Sequence, residues 1–402
     1  MDILIIGKLW PEPQSSAAGK RMLQLIEVFQ RLGQVHFASP SKKTGNEENL
    51  EILKVLSYPI ALNDDTFNDF LLKIDPTIVV FDRFMTEEQF SWRVAETCPF
   101  AVRILNTEDL HFLRNSRKIA FKNNSDMDFY SDDAMRELAA ISRSDLSLII
   151  STFEMHLLEN NYQIPQHLLM YLPIFSSGID CNLPSFEDRK DAIFIGNFLH
   201  EPNVDAVRYL KHEIWPLVRK KNCDVVMNVY GAYPTKEIMD YHSISDNFLV
   251  HGRCEDAQLS TKSARLSIAP LRFGAGIKGK LLEAMECGTP SITTSIGAEG
   301  ISTSDNWPGS IASTPVEFAK DFFRLYTNSS EWNSKQKLGA KILENQFNKE
   351  DYSSVFEQRI LETLTHLDPH RKKHFVSKLI WHQSLQGTKY MSKWIMEKNK
   401  KD

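Results

Sequence analysis

The sequence predicts two doubly wound α/β domains, each a parallel sheet covered by helices on both faces. Three observations predict this. Short apolar runs alternate with longer amphipathic segments, the signature of βαβ units. The alternation breaks once, at the polar stretch SSGIDCNLPSFEDRK (176–190), and then restarts. Glycines stand where the apolar runs end, at Gly7, Gly19, Gly196, Gly231, Gly252 and the Gly274–Gly276 pair.

In chain order, ILIIG leads into the helical GKRMLQLIEVFQRLG and then VHFAS. FNDFLLKI, TIVVFD, EEQFSWRVAET and AVRILN follow, then DDAMRELAAISRS, LSLIIS, EMHLLENN and LLMYLPIF. Runs such as TIVVF have no polar alternation, as expected of strands covered on both faces. The second half starts at DAIFIGN and runs through VDAVRYLKHEIWPLVRK, DVVMNVYG, FLVHG, ARLSIAP, PSITT and GSIAST, closing with helix from about 315 to 366. The predicted units are 1–175, a linker 176–190, 191–350, a helix 351–369 and a tail 370–402. In doubly wound sheets, ligands sit outside the carboxyl ends of the strands. Two facing domains therefore place a ligand between them.

The 402 residues suffice for two ordinary cores, and 42% hydrophobic with 25% charged residues describe a globular chain. A net charge of −5 gives no reason to expect nucleic acid. The five cysteines (Cys98, Cys181, Cys223, Cys254, Cys287) form no CxxC pair. Reduced thiols are therefore expected, with neither a disulfide framework nor a zinc site. MDILIIGKLWP is too short in its apolar run for a signal peptide. No run approaches the roughly 18 apolar residues of a membrane span. A cytoplasmic protein is the expectation.

The densest stretch is PLRFGAGIKGKLLEAMECGTP (270–290). Glycines ahead of a helix let backbone N–H groups approach a phosphate. Lys280 and Glu283 are three apart, on one helix face. Lys280 suits phosphate oxygens; Glu283, acceptor-only when ionised, suits vicinal hydroxyls such as those of a ribose. Together they describe a nucleotide diphosphate. An exposed Lys–Glu pair on a helix surface is the alternative that spacing alone leaves open.

FGAGIKGKLLEAMECGTPSITTSIGAEGI resembles the donor-binding segment of retaining family-4 glycosyltransferases of the GT-B fold, two Rossmann-like domains facing across a cleft. WPEPQSSAAGKRMLQLIEVFQRLGQVHFAS, ILNTEDLHFLR, DLSLIISTFE, FIGNFLHEPNVDAVRYL and FLVHGRCEDAQ agree in order, over residues 1 to 350. The resemblance implies a polysaccharide-building hexosyltransferase with a nucleotide-sugar co-substrate, a glycan or lipid-linked acceptor, and neither a cofactor nor a required metal. It places Glu283 on the donor ribose and Gly274, Ala275 and Gly276 near the diphosphate and sugar. Lys280 and Lys278 would counter the charge of the leaving diphosphate. Gly19 and Gly196 belong to cleft-facing loops, and Arg253 is either a base contact or a loop cation. Asp109, His111 and Lys280 are the candidate catalytic residues; His111 can equally be a surface histidine. The final helix would cross back to the first domain, and the domains would close around the donor about 176–190. Two departures stand out. Many members carry a glutamate where this chain has Ala275, and Arg and Lys where GNFLHEPN places His200 and Asn203. They leave room for a non-catalytic partner of the same fold. An epimerase of that fold would need an acid–base cluster that is not evident. A dinucleotide oxidoreductase is disfavoured, because GKLWPEPQSSAAG is no GxGxxG turn.

The tail, HRKKHFVSKLIWHQSLQGTKYMSKWIMEKNKKD, is basic with interspersed Phe375, Trp381, Trp394 and Ile395. It reads either as a solvated helix folded on the body or as contact with an anionic membrane at the inner face.

Overall fold

Among the described residues, thirteen strands build two separate parallel sheets. The structure is a computed structural model that describes residues 1–180, 182–221 and 224–399. Cys181, Cys223 and the last three residues of the tail lie outside them. The remaining cysteines, Cys98, Cys254 and Cys287, are free thiols.

The first sheet holds β1 (Asp2–Ile6), β2 (Gln34–Ser39), β3 (Leu56–Pro59), β4 (Ile78–Asp82), β5 (Val102–Asn106), β6 (Leu146–Ile149) and β7 (Leu169–Tyr171), in the order β3-β2-β1-β4-β5-β6-β7. Every residue of β4 and β5 is buried. The two-residue period of β1 divides its side chains between two cores. Ile3 and Ile5 pack with Leu25 and Phe29, whereas Leu4 and Ile6 pack with Phe81 and Phe90. The second sheet holds β8 (Lys190–Ile195), β9 (Met227–Tyr230), β10 (Phe248–Gly252), β11 (Ala264–Ala269), β12 (Ser291–Thr293) and β13 (Gly309–Ile311), ordered β10-β9-β8-β11-β12-β13. The order reverses between β1 and β4 in one sheet and between β8 and β11 in the other. Loops leaving those strands are therefore the ones that meet a ligand. The segment 270–276 leaves β11, and Gly196 leaves β8.

β3 is the strand that the sequence reading lacks. Its four residues, LSYP, carry no apolar run, and it lies at the sheet edge, where such residues are tolerated.

The segment 176–190 is not a free linker: its described residues are docked on the second domain. Ser176 donates its N–H to Phe347 O at 2.8 Å, and Ser176 Oγ and Ser177 N–H donate to Glu286 at 3.1 and 2.8 Å. Arg189 is fully buried and donates to Cys287 O and Thr289 Oγ1 at 2.9 and 2.7 Å. One residue earlier, Phe175 is held to the first domain by two hydrogen bonds with Gln24. The change of domain is thus confined to the Phe175–Ser176 junction, beside the returning chain at Phe347.

The returning helix, Lys349–Thr365, joins the first core. Phe356 meets Phe29 edge-on, with centroids 5.1 Å apart, and Ile360 is fully buried. Helices Leu367–Lys373 and Phe375–Asn399 continue over the same domain. Arg371 donates to Asp145 at 2.7 and 2.8 Å and to the carbonyls of Pro99 and Ala101. Trp381 donates its indole N–H to Arg143 O at 3.0 Å, under the Arg103 guanidinium. Trp381 therefore belongs to the body, and the grouping of it with Trp394 as a shared outer surface is corrected. An indole N–H beside an apolar surface finds a backbone acceptor before it finds water.

Phe356→Ala is expected to destabilise the first domain by about 3–5 kcal/mol, the usual loss for truncating a fully buried Phe. Urea denaturation followed by far-UV circular dichroism measures it. A change within 0.5 kcal/mol would place the crossing helix outside that core.

Candidate functional site

The chain leaving β11 makes two turns that suit glycine. Gly274 has φ +152 and Gly276 has φ +63. A Cβ on Gly276 would lie 2.8 Å from Asp109 Cβ and 3.0 Å from Ile150 Cδ1. The loop is thus pressed against the first domain, which also holds its polar groups. Glu154, buried at the start of helix Thr152–Asn160, accepts the N–H of Gly276 at 2.9 Å and that of Leu110 at 3.0 Å. Arg117, from helix His111–Asn123, donates to Gly274 O at 2.8 Å and to both carboxylate oxygens of Glu299 at 2.7 Å. Ala275 packs against the first domain's apolar core.

The following helix spans Gly279–Glu286, so it starts three residues after Gly276, later than the sequence suggests. Lys278 precedes it, buried, with Nζ donating to Gly276 O at 2.8 Å. Burial lowers its ammonium to about 8, against the pull of Glu299 and Glu154. Lys280 lies in the first turn. Its Nζ donates to Asn203 Oδ1 at 2.6 Å and sits 4.3 Å from the Phe194 ring centroid. A Cβ on Gly196 would fall 2.8 Å from that Nζ, which explains a glycine at the end of β8. Burial lowers Lys280 to about 7. Glu283, one turn on, faces the other domain: Oε2 is 3.1 Å from Lys20 Nζ, and Oε1 is buried and accepts no hydrogen bond.

On the first-domain side, Asp109 is held by Arg114 and lies 3.7 Å from His111 Nε2. Burial pushes the Asp109 carboxyl up, but the Arg114 guanidinium outweighs it and leaves it below its usual value. Burial takes His111 down to about 3, despite Asp109. At neutral pH the His111 imidazole is uncharged, a hydrogen-bonding group rather than a proton donor. Burial also raises Glu154 to about 8, against its two N–H donors and Lys278, and raises Glu108 to about 7.

Not every predicted residue lines this centre. Gly19 is in the first turn of helix Ala17–Gln30, and its N–H donates to the cap Ser16 Oγ at 3.0 Å. Its close neighbour is the Glu12 backbone, 2.4 Å from where a Cβ would stand. Arg253 is at the rim, donating to Ser15 Oγ at 3.0 Å, and Asn197 reaches Ser15 O at 3.1 Å. The loop ahead of Ala17 thereby bridges to the second domain.

Sequence reasoning did not single out Glu154, Arg117, Glu299 or Arg83. Glu154 follows the end of β6 as Asp109 follows the end of β5, so the rule that ligands sit beyond the strand ends offered a signal for both. Arg83 and Glu108 follow the ends of β4 and β5 with φ +72 and +61, strained for side-chain-bearing residues. Nothing local marks such strain. The arrangement can hold an anion between Lys278, Lys280 and the glycine loop, and hydroxyl groups at Glu283 and Asp109.

Residues 189–328 match the family model described as Glycosyl transferases group 1. A Klebsiella pneumoniae protein described as an uncharacterized 44.6 kDa protein in the cps region is 26% identical over 228 residues. That match covers 54% of this chain and 56% of the relative, little more than half of each. Sucrose-phosphate synthase from Thermosynechococcus elongatus superposes with a TM-score of 0.69 at 13% identity, over 90% of this chain and 99% of that one. The Anabaena protein HepE, solved in complex with UDP, gives 0.67 at 11% identity, over 91% and 100%. At these identities the likeness shows the fold, which is GT-B.

Removing one partner from a buried ion pair leaves the other charge stranded, a loss of about 3–5 kcal/mol. Arg117→Met is therefore expected to part the domains. The radius of gyration in small-angle scattering should rise and the melting temperature fall. An unchanged profile would show that Arg117 does not hold the cleft closed.

Proposed function

We propose that the chain is a glycosyltransferase. It moves a sugar from a nucleotide diphosphate-sugar to a glycan or lipid-linked acceptor, with retention of configuration and without a metal. The observation that carries this reading is the unspent acceptor capacity of Glu283. Its carboxylate stands one turn beyond a glycine loop and a lysine pair, with one oxygen bonded to nothing and the other on a half-exposed lysine of the facing domain. A ribose diol is the group such a carboxylate takes when the phosphates lie at Lys280 and Lys278. The match of residues 189–328 to the group 1 glycosyl transferases supports it. The UDP in the similar HepE structure makes UDP-sugars the first donors to test.

In this reading the second domain carries the donor. Lys280, held by a neutral amide rather than a carboxylate, meets the diphosphate and stabilises its charge as the sugar leaves. Asp109 and the neutral His111 face the sugar from the first domain, where they orient its hydroxyls or the acceptor. Domain closure excludes water that would hydrolyse the donor. Opening is required to admit it, since Glu283 Oε1 is shielded in the closed form.

Thermal-shift titration with UDP-, GDP-, ADP- and TDP-sugars should find one that stabilises by about 2.7 kcal/mol at 100 times its Kd. Glu283→Ala should weaken that ligand by about 1.5–3 kcal/mol and leave the fold intact. Unchanged affinity would remove Glu283 from the site, and donor binding without turnover on any acceptor would indicate a non-catalytic relative.

The Lys280 titration gives a second test. Its folded value of about 7 lies below the ordinary lysine value, so the ammonium is present in the free site below pH 7 and lost above it. Affinity for an intact nucleotide-sugar, which does not itself titrate there, should fall with rising pH by up to about tenfold per unit above pH 7. Lys280→Met should bind weakly and keep only the shallower slope that Lys278, lowered to about 8, contributes. Calorimetric titration from pH 6 to 8.5 separates the two.

A further inference from the structure

The C-terminal helix Phe375–Asn399 is docked by one side only. At 3.6 residues per turn, Trp381, Ser392 and Met396 fall on one side. All three meet the first domain or are buried: Trp381 on Arg143 O, Met396 against Arg93, and Ser392 at 4% exposure. Phe375, Val376, Leu379, Tyr390, Met391 and Trp394 fall within an arc of about 160° on the opposite side. Each of these six is more than half exposed, Phe375 at 65% and Trp394 at 60%. Phe100, at 85%, lies on the body between the two carbonyls that Arg371 grips, beside the start of this helix.

Single exposed apolar residues need no explanation, but six on one helix face do. Lysines join and flank them: Lys398 falls within the same arc, Lys393 at its edge and Lys378 beside it, all exposed, and Lys372 and Lys373 precede the helix. Between residues 370 and 402, nine Lys and Arg stand against two acidic residues, in a chain whose net charge is −5. The basic charge is therefore concentrated here.

We propose that this outer face docks the protein on an anionic lipid surface, with the helix lying in the plane of the headgroups. The charge chooses the occupant. Lysines are depleted from protein–protein interfaces. On a lipid surface their stems lie along apolar groups while the ammonium reaches the phosphates. The shape agrees: a helix of 25 residues, about 37 Å long, presents its apolar residues as a stripe suited to a plane. Trp394 and Tyr390 have the amphipathic rings that settle at the headgroup level. No helix among the described residues is long and apolar enough to cross a membrane, so the contact is peripheral. The inner side, held by Trp381 and Arg371, keeps the helix on the first domain while its outer side meets lipid. This proposal is independent of the chemistry assigned to the cleft.

The full chain is tested by co-sedimentation with vesicles of phosphatidylcholine containing 30 mol% phosphatidylglycerol and with phosphatidylcholine alone. Binding is expected to the anionic vesicles and to weaken with salt. Leu379→Glu and Trp394→Glu should each reduce it at least about tenfold, because each buries a carboxylate in the headgroup layer. Lys378→Glu/Lys393→Glu should do the same and flatten the salt dependence. These side chains are exposed, so melting temperatures should be unchanged; Tyr390→Glu replaces any variant that fails this check. Equal binding of wild type and variants, or no binding by the wild type, overturns the proposal. So does sedimentation velocity showing a dimer that Trp394→Glu dissociates without lipid binding, which would make the occupant a second copy of this chain.

Discussion

The cleft depends on how the first domain holds the glycine loop of the second. Arg117 takes the carbonyl of Gly274 and the carboxylate of Glu299, and Glu154 takes the N–H of Gly276. These bonds fix both ends of a three-residue turn whose torsions suit glycine. They also close the cleft, since the residues on the two sides of each bond belong to different domains. A buried guanidinium with two oxygens of one carboxylate and a carbonyl is well satisfied, which is the condition for a buried pair to hold. The position of Asp109 against Gly276, and of Lys20 against Glu283, follows from this closure.

The closed cleft shapes its own electrostatics. Lys280 loses water with no compensating carboxylate, and Lys278 loses it against the partial pull of Glu299 and Glu154; their direct acceptors are an amide and a carbonyl. Burial lowers both ammonium groups towards neutrality. An anion placed between them would reverse that shift, so ligand binding and proton uptake are linked. The same burial keeps His111 uncharged and raises Glu154. One cause, exclusion of water by domain contact, thus sets the protonation of groups from both domains.

Asp145 plays the corresponding part on the far side of the first domain. Its carboxylate meets Arg103, the Arg103 N–H and Arg371. Burial alone would raise it, but these contacts hold it below its usual value. Through Arg371 the last two helices become part of the first domain, and the amphipathic pattern of the tail is divided between an inner side and an outer one.

The sequence by itself determined most of the elements, β3 apart, and the division into two sheets. Strand and helix periods are local, and the apolar runs of β1, β4, β5 and β11 are long enough to show them. It also determined the glycine loop with Lys280 and Glu283, because backbone freedom and charge at fixed spacing are written in consecutive residues. Only the tertiary structure decided which first-domain groups meet that loop. Glu154 and Gly276 are 122 residues apart, and Arg117 and Glu299 are 182 apart. A pairing across such a separation leaves no period in either segment, so Arg117 reads as one more cation on a surface helix. The docked segment 176–190 was hidden for the same reason: Arg189 looks solvated among polar neighbours until Thr289 and the Cys287 carbonyl enclose it. Local chemistry specifies what each element is, and burial, which depends on all of the elements together, specifies which of its charges face one another.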